Sequence, residues 1–314
     1  MILALAGGVG GARLAQGLAL ALPPERLCIV VNVGDDFEHL GLHVSPDIDT
    51  VMYTLARLHN TEQGWGLAGE TWNFMDALAR VGGETWFRLG DRDLAVHVER
   101  TRRVRACESL SKITADFCRR FNVLHAVIPA TDQRLRTRVT TDEGELDFQD
   151  YFVRRRCEPV IRGLHYDGAH AAQPSPMLSE LIDSGGVDGI VICPSNPWLS
   201  VAPILAIPAL HRLVAGREVP VVAVSPIIAG RAVKGPARKI MDELGAGKDT
   251  AGIVAHYGAL VDGWVIDNKD LSLAAGIESA GYRVLATETL MSTPQHALAL
   301  ADAALSLLDL LKGR

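Results

Sequence analysis

Two stretches near the amino terminus gather groups suited to handling an anionic substrate. Gly7-Gly8-Val9-Gly10-Gly11 stands directly after an apolar run and before Leu14, Leu18 and Leu22 at helical spacing. Glycines there let backbone N–H groups approach a phosphate, and the dipole of a helix opening at that point favours negative charge. Gly8, Gly10 and Gly11 are therefore candidate phosphate-binding residues, with Arg13 as a possible clamp. The loop fits neither standard nucleotide fingerprint: the third glycine of GxGxxG would fall on Arg13, and no Gly-Lys-Ser/Thr ending is present. The second stretch is acidic, with Asp35, Asp36, Asp47 and Asp49 inside fifteen residues. Carboxylates so placed can hold Mg²⁺ through oxygen, orient a hydroxyl or take its proton. Asp49, followed by Thr50, can equally cap a helix.

Further polar groups recur after later apolar runs. Pro194-Ser195-Asn196-Pro197 offers a hydroxyl and an amide on a loop stiffened by two prolines. Ser225-Pro226 follows another such run. Beyond it, Lys234-Gly235-Pro236-Ala237-Arg238-Lys239 opens a helix and forms a second candidate anion site, with Gly235 and Lys239 as its contacts. Trp86-Phe87-Arg88-Leu89-Gly90-Asp91-Arg92-Asp93 could stack on a planar heterocycle or form a local salt-bridge cluster. Covalent hydrolysis is poorly supported, since GxSxG and HExxH are both missing. The five cysteines are scattered, with no CxxC pair, which fits a reducing compartment and gives neither a disulfide framework nor a thiolate metal site.

The elements that must position these groups alternate. Short β-rich runs at 2–6, 27–33, 123–128, 187–193, 219–224, 263–266 and 282–286 are separated by helical patterns, among them 12–22, 50–58, 71–80, 110–120, 236–244, 271–280 and 294–311. Several of the runs are apolar nearly throughout, as strands buried on both faces of a parallel sheet should be. The expected fold is α/β: a doubly wound, mainly parallel Rossmann-like sheet. A single domain over 1–314 is expected, with 64–110 as a helical cover over the active site and 136–163 as an antiparallel excursion. A net charge of −6 argues against a nucleic-acid partner. No apolar stretch is long enough to span a bilayer, so a cytoplasmic protein without a membrane partner is expected.

Laid end to end, the segments resemble the 2-phospho-L-lactate transferase family of coenzyme F-420 biosynthesis. The resemblance rests on AGGVGGARL (6–14), VNVGDDFEHLGLHVSPDIDTVMYTL (31–55) and ETWFRLGDRDLAVHVERT (84–101). It continues through PATD (129–132), FQDYFV (148–153), PSNPWLSVAPIL (194–205), VVAVSPIIAG (221–230), GPARKIM (235–241) and TLMST (289–293). It implies a Mg²⁺-dependent transferase, working as a homodimer. The reaction joins a phosphoryl-linked three-carbon acid, carried as a guanosine diphosphate conjugate, to the deazaflavin alcohol FO. By the same resemblance Asp49 and Arg88 meet the deazaflavin, while Asp36, with Asp35, serves Mg²⁺ or the reacting hydroxyl. The glycine loop, Ser195, Asn196 and the helix start near Gly235 are left to the guanosine diphosphate side. A nucleotide-binding regulatory protein with a similar glycine-rich start is the competing class.

Overall fold

The structure, a computed structural model, describes residues 1–216, 218–233 and 236–313. In chain order the strands are β1 (Ile2–Ala6), β2 (Leu27–Val31), β3 (Phe37–His39), β4 (Leu42–Val44), β5 (Ala126–Pro129), β6 (Arg136–Thr141), β7 (Gly144–Asp147), β8 (Ile161–Asp167), β9 (Gly189–Ile192), β10 (Val221–Val224), β11 (Ile227–Ile228), β12 (Arg231–Ala232), β13 (Gly263–Asp267) and β14 (Arg283–Thr287). Seven of them form one sheet in the order β14-β13-β10-β9-β1-β2-β5, and every neighbouring pair is parallel. The chain winds one way from β1 to β2 and β5 and the other way through β9, β10, β13 and β14. β1 and β9 therefore flank the point where the winding reverses, and their carboxyl ends open the crevice in which such sheets bind ligands.

The apolar runs explain the sheet. β1, β2, β9, β10 and β13 are buried at every residue, because helices cover both faces, while the edge strand β14 is partly exposed. Each fully buried Leu, Ile or Val contributes roughly 1.5–3 kcal/mol. Helix α1 (Gly8–Ala21) packs against α2 (Pro46–Leu55) and against the carboxyl-terminal helix Pro294–Lys312. Among the described residues no single helix is long and apolar enough to cross a membrane.

Three small antiparallel sheets accompany the large one: β3 with β4, β11 with β12, and β7-β6-β8. The last of these occupies the stretch where antiparallel pairing was expected, with two differences. Within the expected 136–163, strand pairing is interrupted after Asp147, where Asp150–Arg154 forms a helical turn. The third strand, Ile161–Asp167, runs past the expected limit at 163 and pairs with β6.

Segment 64–110 holds α3 (Asn73–Arg80) and α4 (Asp91–Arg105), and α5 (Leu110–Arg120) begins at its end. Helix α4 is too charged to announce itself by an apolar stripe. Its termini suit it nevertheless, with Asp91 and Asp93 in the first turn and Arg102, Arg103 and Arg105 in the last. Caps pass between neighbours: Asp91 accepts from the Asn73 and Phe74 amides at the start of α3 (3.1 and 3.0 Å), and Glu70 accepts from those of Arg92 and Asp93 (2.8 Å each). Bonds from Thr71 and Asn73 pull the Asp91 carboxyl down to about 2.

Candidate functional site

Three loops meet at the reversal point. After β1 comes the glycine loop, after β2 the acidic loop, and after β9 the Pro194-Ser195-Asn196 turn; together they line a cleft of about 560 Å³. Gly8, Gly10, Arg13, Asp35, Asp47, Asp49, Arg88, Ser195 and Asn196 all line it. Asp36, Gly11 and Lys239 do not.

The glycine loop is held from two sides. Gly7 donates its amide to Ser195 Oγ (3.1 Å) and Gly8 donates to Asp47 Oδ1 (2.6 Å). A side chain at Gly11 would run into Ser195 Oγ and Ala6, and one at Gly10 into the Pro194 carbonyl, so glycine permits the close approach of the start of α1 to the Pro194-Ser195 turn. Gly11 is thus a packing residue, and the Asp47 carboxylate occupies part of the helix end expected to bind phosphate. Arg13 donates to the Met291 carbonyl (2.7 Å) across the cleft rim. Asn196 accepts the Trp198 and Leu199 amides at its Oδ1 (3.0 and 3.1 Å), capping the helical turn Pro197–Val201.

The acidic loop forms a buried network around Asn32, which sequence reasoning passed over. The Asn32 amide donates to Asp35 Oδ1 and to Asp47 Oδ2 (2.9 Å each), binding two carboxylates to each other through one side chain. Burial, then the negative charges of Asp47 and Asp36, push the Asp35 carboxyl well above the usual range. Burial likewise raises Asp47 to about 6, against the Asn32 and Gly8 bonds that hold it down. Asp36 accepts from Ser45 Oγ (2.9 Å) and lies 3.2 Å from His43 Nε2, both through Oδ2. Its Oδ1 is buried without a protein partner.

Asp49 is not the helix cap its neighbour Thr50 allowed. Helix α2 begins at Pro46, a favourable first helical residue, so Asp49 already lies inside its first turn. Its carboxylate is gripped by both terminal nitrogens of Arg100, one at 3.0 Å. His97 Nδ1 stands 3.7 Å from Asp49, and His97 Nε2 stands 3.5 Å from Asp93, to which Tyr53 also donates (2.6 Å). Burial raises Asp49 in spite of Arg100. Asp49, Asp93 and His97 bring ligand atoms within 4.8 Å of one another, a buried group capable of coordinating a divalent cation. Arg100 and His97 escaped the sequence reading because they lie on α4, where hydrophobic periodicity gave no signal. Asp47 was counted with the loop acids and given no role; its proximity to the Gly8 amide arises only in the fold.

Arg88 lies over the Trp72 ring, 4.0 Å from its centroid, and Trp86 and Phe87 line the same wall. Among the described residues this segment forms no salt-bridge cluster of its own; it sets aromatic rings beside Arg88 and uses Asp91 as a helix cap. Lys239 is directed elsewhere: its ammonium bonds the Pro159 carbonyl (2.8 Å) and Glu243 (2.6 Å) on the helix Ala237–Glu243. That lysine stands apart from the anion site expected of it, because an i,i+4 carboxylate competes for its charge. Gly235 and Lys234 lie outside the described residues.

The three buried cysteines offer no nucleophile. Burial pushes Cys28 and Cys118 up to about 12 and raises Cys193 also, and none of them lines the cleft.

Known proteins resemble the chain over nearly its whole length. The chain is 40% identical to a phosphoenolpyruvate transferase of Streptomyces griseus, with 98% of each chain covered. It is 38% identical to a 2-phospho-L-lactate transferase of Methanopyrus kandleri at the same coverage. A crystal structure of a UPF0052-family protein from Bacillus halodurans shares the fold at a TM-score of 0.63, with 15% identity over 97% of this chain and 98% of that one. The model of the family 2-phospho-L-lactate transferase CofD matches residues 2–286, and the chain belongs to that family.

Proposed function

We propose that the protein transfers a phosphoryl-linked three-carbon acid from its guanosine diphosphate conjugate to the ribityl hydroxyl of FO and releases GMP. The acid is 2-phospholactate, phosphoenolpyruvate or phosphoglycerate. Membership makes the chain a transferase of the CofD type. The observation that carries the reading is that Asp35, Asp47 and Asp49 line one cleft together with the glycine loop and Asn196, the diphosphate side of the reading, and with Trp86, Phe87 and Arg88, its acceptor side. A diphosphate and a planar acceptor brought to those two sides would meet at the acids.

The reaction forms one bond, from the ribityl oxygen to the phosphorus bearing the acid, and breaks one, from that phosphorus to the GMP oxygen. GMP leaves with the electron pair, and a carboxylate of the cluster takes the hydroxyl proton. No covalent intermediate is required. Alignment and charge neutralisation therefore supply the catalysis. Asp49, fixed by Arg100, orients the acceptor with Arg88. Gly8, Gly10, Arg13, Ser195 and Asn196 face the diphosphate; Asn196 spends its oxygen on the cap and keeps its amide N–H groups for a ligand.

Mg²⁺ fits the acidic loop. The free Oδ1 of Asp36 and the carboxylate of Asp35 are hard oxygen donors, whereas Asp49 is already committed to Arg100 and its group includes a nitrogen. Bound there, the ion would withdraw charge from the diphosphate. Asp35 and Asp36 are accordingly its ligands in this reading. The resemblance also extends to a homodimer, which sedimentation velocity tests.

The test of function incubates the protein with FO, Mg²⁺ and each conjugate in turn and identifies the product by mass. One conjugate should give the FO adduct together with GMP. Absence of an adduct with all three would overturn the reading.

A further inference from the structure

Beyond Asp35 lies a second cavity, of about 740 Å³, which shares Asp35, Trp86, Phe148 and Gln149 with the cleft. Asp36 faces only this compartment. Arg136 and Thr137, at the start of β6, line it too. Neither is satisfied by the protein in the way its neighbours are. Arg138 is neutralised by Glu145 and Asp147, and Arg103 by Glu108 and Asp116. Arg136, half-buried, has no carboxylate within ion-pair distance among the described residues; it donates one N–H to the Leu135 carbonyl (2.7 Å) and keeps the others. The Thr137 hydroxyl is buried, on a residue 2% exposed, and has no protein partner. A buried hydroxyl left unpaired costs about 1–3 kcal/mol. Thr137 follows Arg136 in the strand and so points to the other face of β6, and it is the uncompensated, half-buried guanidinium of Arg136 that is a ready fork for a carboxylate.

We propose that this compartment is the subsite for the three-carbon acid, with the Arg136 guanidinium holding its carboxylate. The inference rests on the transfer reaction above and deepens it. The donor then bridges the two cavities: its diphosphate runs from the glycine loop to the acidic loop at Asp35, and its acid enters beside Asp36. Arg136 lines the compartment together with Asp35 and Asp36, so an anion seated on its guanidinium meets those carboxylates with a positive charge beside it. Of the other acids lining the compartment, Asp132 is taken up by the Ser111 amide and hydroxyl (2.6 and 2.7 Å), Asp147 by Arg138, Glu108 by Arg103 and Asp150 by Arg154 (3.7 Å), while Glu38 is exposed to solvent.

Calorimetric binding of two ligands tests this apart from turnover: the guanosine diphosphate conjugate of 2-phospholactate, and the guanosine diphosphate ester in which ethyl replaces the acid. The wild-type protein should bind the conjugate about 30-fold more tightly, the range expected when a charged hydrogen-bonded pair loses its partner. Arg136→Gln should bind both ligands alike, with affinity for the ester unchanged. Equal weakening of both ligands in Arg136→Gln would place the guanidinium on the diphosphate and overturn the proposal, as would undiminished discrimination. Transfer to FO is assayed in parallel. Lost discrimination in Arg136→Gln without any transfer by the wild type would leave the subsite standing and remove the reaction.

Discussion

At the scale of single residues, the site is a problem in buried charge. Asp49 and Arg100 are both nearly inaccessible, with side chains 7% and 1% exposed, and each is tolerable only because of the other. Removing one partner of such a pair typically costs about 3–5 kcal/mol, since the survivor is left charged and dry. Asp49→Asn and Arg100→Gln should each lower urea stability by that order, and the double variant should lose clearly less than the sum. Strict additivity would show that the two groups do not act as a pair. Asp36 should behave differently. Its free Oδ1 contributes nothing to the protein's own hydrogen bonding, so Asp36→Asn should leave the urea midpoint close to that of the wild type while turnover falls about 100-fold or more at saturating Mg²⁺. Near-normal turnover would remove Asp36 from the reaction. The sequence made Asp35, Asp36 and Asp49 visible because carboxylates crowded after a strand are readable as such. It could not show Arg100, whose meeting with Asp49 spans 51 positions, nor Asn32, an amide among acids whose value lies in touching two of them at once.

At the scale of elements, the parallel strands were legible because being buried on both faces leaves a run apolar throughout, as in Leu27–Val31 and Gly189–Ile192. Helix limits were less so. Residues 46–49 were left outside α2 because Asp47 and Asp49 look like loop residues; the fold buries both and begins the helix at Pro46. Helix α4 was missed as a unit, because its inward face carries His97, Arg100 and Arg103 in place of apolar groups. The glycines of α1 also carry a role that local pattern does not reveal. Gly17 lies where an added Cβ would enter the Ala297 carbonyl of the carboxyl-terminal helix. Alanine at this position gains up to about 1 kcal/mol in helix propensity and loses about 1–3 kcal/mol by forcing the two backbones apart. Gly17→Ala should therefore lower the urea midpoint, with the overpacking outweighing the propensity. A raised midpoint would mean that the two helices can separate at little cost.

At the scale of the whole molecule, the site's carboxylates and three histidines that lose hydration on folding impose opposite dependences on pH. Asp35, Asp47 and Asp49 are raised by burial, so the native protein holds protons that the unfolded chain has released. Their contribution is full below the unfolded value near ~4 and is lost as pH rises through each folded value, about 6 for Asp47. Burial lowers His39, His59 and His256. The unfolded chain takes up those protons first, and stability falls as pH drops below ~6.5 and on through the folded values. Thermal stability without a divalent cation should therefore be greatest in mildly acid solution and decline toward both sides. A cation on the acidic loop changes that balance, since it binds the ionised carboxylates and stabilises the native state by mass action. Addition of Mg²⁺ should raise the melting temperature more at pH 8 than at pH 5.5, where protons compete for the same oxygens, and Asp36→Asn should abolish the increment. An increment that survives in Asp36→Asn but disappears in His97→Gln would move the ion to the Asp49, Asp93 and His97 group. The acids beside Asn32 would then act by orienting the hydroxyl and accepting its proton, with no metal of their own.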